Sequence, residues 1–305
     1  MSLSSEAGIV VIGSAGQVGF EAVEHARRRG LACVGLTRED LDLGSAAAVH
    51  ACLATTSARL VVNAGAYTAV DRAEREPERA FAVNGQGVAA LAAACARRGL
   101  PLIHFTTDYV FDGAARSPWR EADAINPLSV YGASKAAGEL AVRTIHPQHI
   151  ILRTSGVFSA RGRNFPKAVL DRAMRGEKLR VVDDQTVCPT WAADVAEAAV
   201  ALAQRHLGGA VLDWGTYHYC GRGETSWDGF ARELLACYRA LGGTAIDPEP
   251  VSSAAFGAAA RRPAYSVLDC SRIEARYGIR PRAWREHLPD LVAGIVEASR
   301  AEPPA

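Results

Sequence analysis

Gly8-Ile9-Val10-Val11-Ile12-Gly13-Ser14-Ala15-Gly16-Gln17-Val18-Gly19 is the stretch that decides the fold. An apolar run of strand length leads straight into a glycine-rich turn, and the turn opens a segment of helical period. Gly13, Gly16 and Gly19 allow a tight turn and let the backbone come close to a pyrophosphate seated on the helix N-terminus. The spacing is Gly-x-x-Gly-x-x-Gly, not the Gly-x-Gly-x-x-Gly of many dinucleotide sites. Close packing of helix on strand asks for the same glycines, so both readings stand at this point.

Outward from this stretch the alternation continues. Gly8–Ile12, Leu31–Leu36, Arg59–Asn63, Leu102–Thr107 and His149–Arg153 read as strands, and 17–29, 45–54, 78–98, 129–145 and 192–206 as helices. Apolar strands alternating with helices predict an α/β fold, a Rossmann-like doubly wound parallel sheet covered on both faces. Beyond residue 155 the rhythm loosens, with helices expected at 164–175, 226–241, 269–277 and 284–299. Residues 1–157 therefore read as a dinucleotide-binding domain and 158–305 mainly as a smaller C-terminal α/β substrate domain. Segment 180–217, with helix 192–206 and a strand at Val211–Tyr217, is expected to return to the first. Ligands of such sheets sit beyond the C-terminal strand edges, here between the two domains.

Composition narrows the partners. A 49% hydrophobic and 22% charged chain with net charge +1 is globular and offers no basic footprint for nucleic acid or an anionic membrane surface. Seven cysteines without a Cys-x-x-Cys spacing suggest a reducing compartment and neither a disulfide framework nor a zinc ribbon. The N-terminus lacks a basic leader and no run approaches the ~18 apolar residues of a membrane span, so the expected location is cytoplasmic.

Strand two ends in Leu36-Thr37-Arg38, where an acidic residue would grip both ribose hydroxyls. Arg38 either accommodates a 2′-phosphate, favouring NADPH over NADH, or is a solvated turn residue. Asp42 and Leu43 can accept from an adenine amine and cover the ring, or can simply precede a helix starting at Ser45. Ala64, Gly65, Ala66, Tyr67 and Thr68 end strand three in small residues against which a flat nicotinamide or ribose can lie. Asn84-Gly85 is a poor pair inside helix 78–98 and marks either a bracing site or a plain irregularity.

Tyr131 and Lys135 stand one helical turn apart, and the chain has only three lysines (Lys135, Lys167, Lys178) among its 34 basic residues. A compact ammonium at Lys135 suits a hydrated point charge better than the prevailing Arg. Free Tyr titrates near ~10, so acid–base work at neutral pH asks for a shift of ~3 units, or ~4 kcal/mol. One positive charge at ~4 Å in an effective dielectric of ~20 supplies about that much. With the Thr107 hydroxyl at the end of strand four, the three form a proton-delivery set beside a dinucleotide.

Together these stretches resemble the extended short-chain dehydrogenase/reductase superfamily and, within it, the dTDP-4-dehydrorhamnose reductase family. The resemblance is carried by Gly16-Gln17-Val18-Gly19, by Val62 to Asp71, by Thr107-Asp108-Tyr109-Val110-Phe111, and by Pro127 to Gly132 with Lys135. It continues through Leu152-Arg153-Thr154-Ser155, Asn164-Phe165, Asp184-Gln185, Pro189-Thr190, Tyr217-His218 and Arg262-Pro263. It implies NAD(P)H-dependent reduction of the 4-keto group of dTDP-4-dehydro-L-rhamnose, a nucleotide-sugar substrate, with Tyr131 as proton donor and Lys135 its partner. Thr107, Asp108, Tyr109, Gly156, Asn164, Pro189 and Tyr265 would face the sugar. Gly16, Gln17, Val18, Asp42, Leu43, Ala66, Tyr67 and Thr68 would line the cofactor site.

The resemblance also implies a homodimer and an association with Mg2+, for which no ligand cluster is assignable. Three positions depart from the family pattern: Gly156 stands where Trp is usual, Tyr265 where Asn is usual, and Trp191 where a smaller residue is usual. A different nucleotide-linked 4-keto sugar, an epimerase reaction, or a non-catalytic regulatory partner of methionine adenosyltransferase are the alternatives.

Overall fold

The computed structural model describes residues 8–301; the N-terminal residues read for a leader and the Pro-rich last residues lie outside these. The first half runs β1 (Ile9–Ile12), α1 (Gln17–Arg28), β2 (Cys33–Leu36), α2 (Ala46–Thr55), β3 (Leu60–Asn63), α3 (Val70–Ala73) and α4 (Pro77–Phe81). A π-helical segment, Ala82–Gly87, then leads into α5 (Val88–Arg98), β4 (Leu102–Thr107), α6 (Val130–Ile145) and β5 (His149–Thr154). The second half comprises β6 (Val157–Phe158), α7 (Phe165–Met174), β7 (Arg180–Val182), β8 (Thr186–Val187), β9 (Thr190–Trp191), α8 (Ala192–Leu207) and β10 (Gly215–His218). It closes with β11 (Thr225–Ser226), α9 (Trp227–Ala240), β12 (Glu249–Val251), α10 (Ser253–Phe256), α11 (Ser271–Tyr277) and α12 (Leu288–Ala301).

Six strands form one parallel sheet in the order β2-β1-β3-β4-β5-β10. The two-residue period of β1 divides the core: Ile9 and Val11 pack with α1 and α8, while Val10 and Ile12 pack with α2 and α5. Strands buried on both faces must be apolar throughout, which is why β1 and β3 lack polar alternation. The chain goes from β1 to β2 on one side and then crosses to β3 on the other side of β1, so the strand order reverses beside β1. The crevice at that switch point opens directly above Gly13.

Three local readings change. The helix expected over 78–98 is broken into α4, the π-helical segment and α5, because Asn84 spends its side chain on neighbouring groups. The strand expected at Val211–Tyr217 begins only at Gly215. Within 180–217, α8 and β10 join the large sheet, whereas β7 and β8 pair with β12 and β11 among the C-terminal elements. A separate core built on Phe158, Leu170, Phe230, Leu234, Trp284 and Val292 holds these elements together. No helix among the described residues is long and apolar enough to cross a membrane.

Candidate active site

Two adjoining cavities open along the C-terminal edge of the sheet. One, of about 320 Å3, is lined by Gly13, Arg38, Asp42, Leu43, Gly65 and Tyr67. The other, of about 520 Å3, is lined by Gln17, Val18, Thr107, Asp108, Tyr131 and Lys135. Gly16, Ala64, Ala66 and Thr68 belong to both walls, so one extended groove runs from the end of β2 to the end of β4. Its length, its small-residue floor and the glycine turn fit a dinucleotide. Exposed Arg38 has no ion-pair partner among the described residues. Asp42 lines the groove while its carboxylate accepts from the Gly44 amide at 3.0 Å. Gly19 does not reach the groove: a Cβ there would collide with the Gly13 carbonyl, so this glycine serves helix-on-turn packing.

The groove is braced from below. Asn84 Oδ1 accepts from the Tyr67 amide at 2.8 Å, and its Nδ2 donates to the Tyr67 carbonyl and to Ser134 Oγ, both at 3.0 Å. One side chain thus ties the loop after β3 to α6, the helix that carries Tyr131 and Lys135. Close approach requires Gly138, where a Cβ would strike the Asn84 carbonyl. Ser129 caps α6 through the Gly132 amide at 3.1 Å and fixes where its first turn begins.

Tyr131, Lys135, Thr107 and Asp108 meet in the larger cavity. Lys135 Nζ donates to the Phe105 carbonyl at 2.8 Å. Burial pulls its pKa down to about 8, with Glu139 one turn further along opposing the shift. Burial pushes the Tyr131 phenol up to about 12, the Thr107 hydroxyl pulling the other way and Asp108 adding to the rise. The expected depression of the phenol by Lys135 is not among the influences that set its shift in this pocket: burial dominates, and the phenol keeps its proton at neutral pH. Asp108 accepts from Thr107 Oγ1 at 2.9 Å and from Ser155 Oγ at 3.1 Å, and burial raises its carboxyl to about 6.

The family model described as the RmlD substrate binding domain matches residues 7–296. The dTDP-4-dehydrorhamnose reductase of Sinorhizobium fredii is 42% identical over 289 residues, covering 94% of this chain and 97% of the relative. The chain belongs to the dTDP-4-dehydrorhamnose reductase family. A crystal structure from this family, the Bacillus anthracis reductase in complex with NADP, superposes with a TM-score of 0.85 at 29% identity, covering 93% of this chain and 98% of that one. A Streptomyces antibioticus protein named "Probable dTDP-4,6-dihydroxy-2-methyloxan-3-one 4-ketoreductase" is 36% identical over 290 residues, with 93% of this chain and 95% of that protein covered.

Of the residues expected at the family's sugar site, Thr107, Asp108, Tyr109, Gly156 and Asn164 line the larger cavity. Pro189 and Tyr265 do not. Pro189 lies behind Gly156, its Cα 3.4 Å from where a Cβ on that glycine would stand. Tyr265 turns away, its hydroxyl donating to Glu224 at 3.1 Å and its carbonyl accepting from the Trp119 indole at 3.0 Å. Trp191 also misses the cavity and stacks on His287 with centroids 5.3 Å apart. Neither departing ring replaces the one absent at Gly156. Elsewhere the cavity has an aromatic wall unread from sequence, Phe165, Trp227, Phe158 and Phe230, with Phe165 and Trp227 centroids 4.8 Å apart. Phe165 and Trp227 also face a third cavity of about 600 Å3 that contains Arg180, Ser253 and Arg261. Among the described residues no group of three or more His, Cys, Asp or Glu stands where it could hold a metal.

Proposed function

We propose that this chain uses NADPH to reduce the 4-keto group of dTDP-4-dehydro-L-rhamnose, yielding dTDP-L-rhamnose. The observation that carries this reading is the meeting of Tyr131, Lys135 and Thr107 in one cavity with the glycine turn of a nucleotide groove. The relatives named as dTDP-4-dehydrorhamnose reductases support the substrate. The NADP complex of the Bacillus anthracis relative and the unpaired Arg38 support the phosphorylated cofactor. The nicotinamide, when bound, supplies the hydride to the sugar C4. Tyr131 gives its hydroxyl proton to the sugar O4, and the phenolate left behind is stabilised by the Lys135 ammonium. Thr107 donates to the same oxygen when its hydroxyl turns from Asp108. Aromatic walls exclude water from the reacting atoms, and the third cavity offers Arg180 and Arg261 to the substrate's diphosphate.

Supplying dTDP-4-dehydro-L-rhamnose with NADPH and following nicotinamide absorbance tests the assignment. Turnover by the parent and a loss of about 100-fold or more in Tyr131→Phe are expected. A parent without turnover removes the substrate; undiminished Tyr131→Phe removes the proton donor. A second reading, another dTDP-linked 4-keto sugar, is favoured by Gly156, which leaves the sugar wall open where the family pattern has a ring. Competition between sugars in the same assay separates the two.

A further inference from the structure

Gln17 and Asn164 belong to different halves of the molecule, yet their side chains meet. Gln17 is the first residue of α1, and its backbone is part of the glycine turn. Its Oε1 accepts from Ser159 Oγ at 2.8 Å and from Asn164 Nδ2 at 3.0 Å. Asn164 Nδ2 also donates to the Ser159 carbonyl at 2.7 Å, while its Oδ1 caps α7 by accepting from the Lys167 amide at 3.2 Å. Phe165, the first residue of that helix, lines the catalytic cavity. Ala160, Arg161, Gly162 and Arg163 are exposed, so segment 159–164 has little core of its own. It is held by Gln17 and by the Arg161 guanidinium lying 3.5 Å above the Phe20 ring of α1.

We propose that Gln17 and Asn164 are a positioning pair that couples occupancy of the glycine turn to the shape of the sugar cavity. A cofactor phosphate on the turn fixes the start of α1. Gln17 then holds Asn164, Asn164 sets the first turn of α7, and Phe165 is presented to the sugar. Because binding linkage is reciprocal, a bound sugar nucleotide must tighten cofactor binding by the same factor. The coupling rests on the proposed reaction only for the identity of the two ligands.

The test uses NADPH with dTDP-L-rhamnose, a pair that cannot react, in calorimetric titrations of the parent, Gln17→Ala and Asn164→Ser. Serine keeps the helix cap but is too short to reach Gln17. In the parent, NADPH should raise sugar-nucleotide affinity, and each variant should lose about fivefold or more of that factor, the worth of one net hydrogen bond. An unchanged factor in both variants overturns the proposal. Hydrogen exchange across 159–167 with NADPH alone provides an arm that needs no sugar. Slowing in the parent and none in Gln17→Ala supports the pair; equal behaviour of the two proteins overturns it. A parent that binds NADPH but not dTDP-L-rhamnose overturns the sugar assignment instead, and the exchange arm then decides the coupling.

Discussion

Lys135 is held where its charge is costly. It is 3% exposed, and its pKa falls from 10.5 to about 8, a folded-state penalty of about 3 kcal/mol at neutral pH. The sign follows from the direction: the protonated amine is disfavoured by folding, so the penalty is complete below pH 8 and fades as pH rises towards 10.5. Lys135→Met should abolish reduction while raising the melting temperature at pH 7 by a few degrees, the gain shrinking in scans above pH 8. The same value sets a functional limit. Reduction should decline as pH rises through about 8, where the ammonium is lost while Tyr131 still keeps its proton, and a pH profile of kcat/KM checks this. The Tyr131–Lys135 pair was legible from spacing because helical geometry is local. The direction of the phenol's shift was not, because it depends on how far the surrounding half-molecule dries the pocket.

At the scale of elements, the π-helical segment Ala82–Gly87 is where local preference and tertiary demand part. Asn-Gly inside an alanine-rich helix could be read from sequence as a weak point, but its partners, Tyr67 and Ser134, lie 17 and 50 residues away. Only the packing of α6 on this segment identifies it as a brace. Asn84→Ala removes three hydrogen bonds from a fully buried site and should cost about 2–3 kcal/mol in chemical denaturation. Because the loop after β3 loses its anchor, KM for the cofactor should rise more than kcat falls. The aromatic wall illustrates the opposite limit: α9 is legible as a helix, but that Trp227 at its start reaches the cavity of Tyr131 and Lys135 depends on docking against α7 and β6.

Across the whole molecule, the parallel sheet and its glycine turn could be read because each buried strand must be apolar along its length. The substrate side could be read only in part. Tyr265 and Trp191 are grouped with Gly156 by their place in family-like motifs, whereas the loop that carries Tyr265 and the short strand β9 that carries Trp191 point both rings away from the cavity. The two halves are joined by ionic contacts whose partners are distant in sequence, Arg262 with Asp71 at 2.7 Å among them. Under the sheet edge, Arg153 and Glu139 form a buried pair at 2.8 Å, and the guanidinium lies 5.0 Å from the Phe111 ring. Removing one partner leaves the other charge buried, so Glu139→Ala should destabilise by about 3–5 kcal/mol, far more than deleting exposed Glu177, in matched thermal unfolding. Lysine scarcity gives the cavity a chemical handle. With Lys178 exposed and Lys167 partly so, Lys135 is the lysine that lines the cavity of Tyr131 and Thr107, and its lowered pKa leaves a large fraction of it nucleophilic near pH 8. A small amine-directed reagent should therefore acylate Lys135 in step with inactivation, and a covalent peptide map taken with NADPH present should show that one adduct disappear.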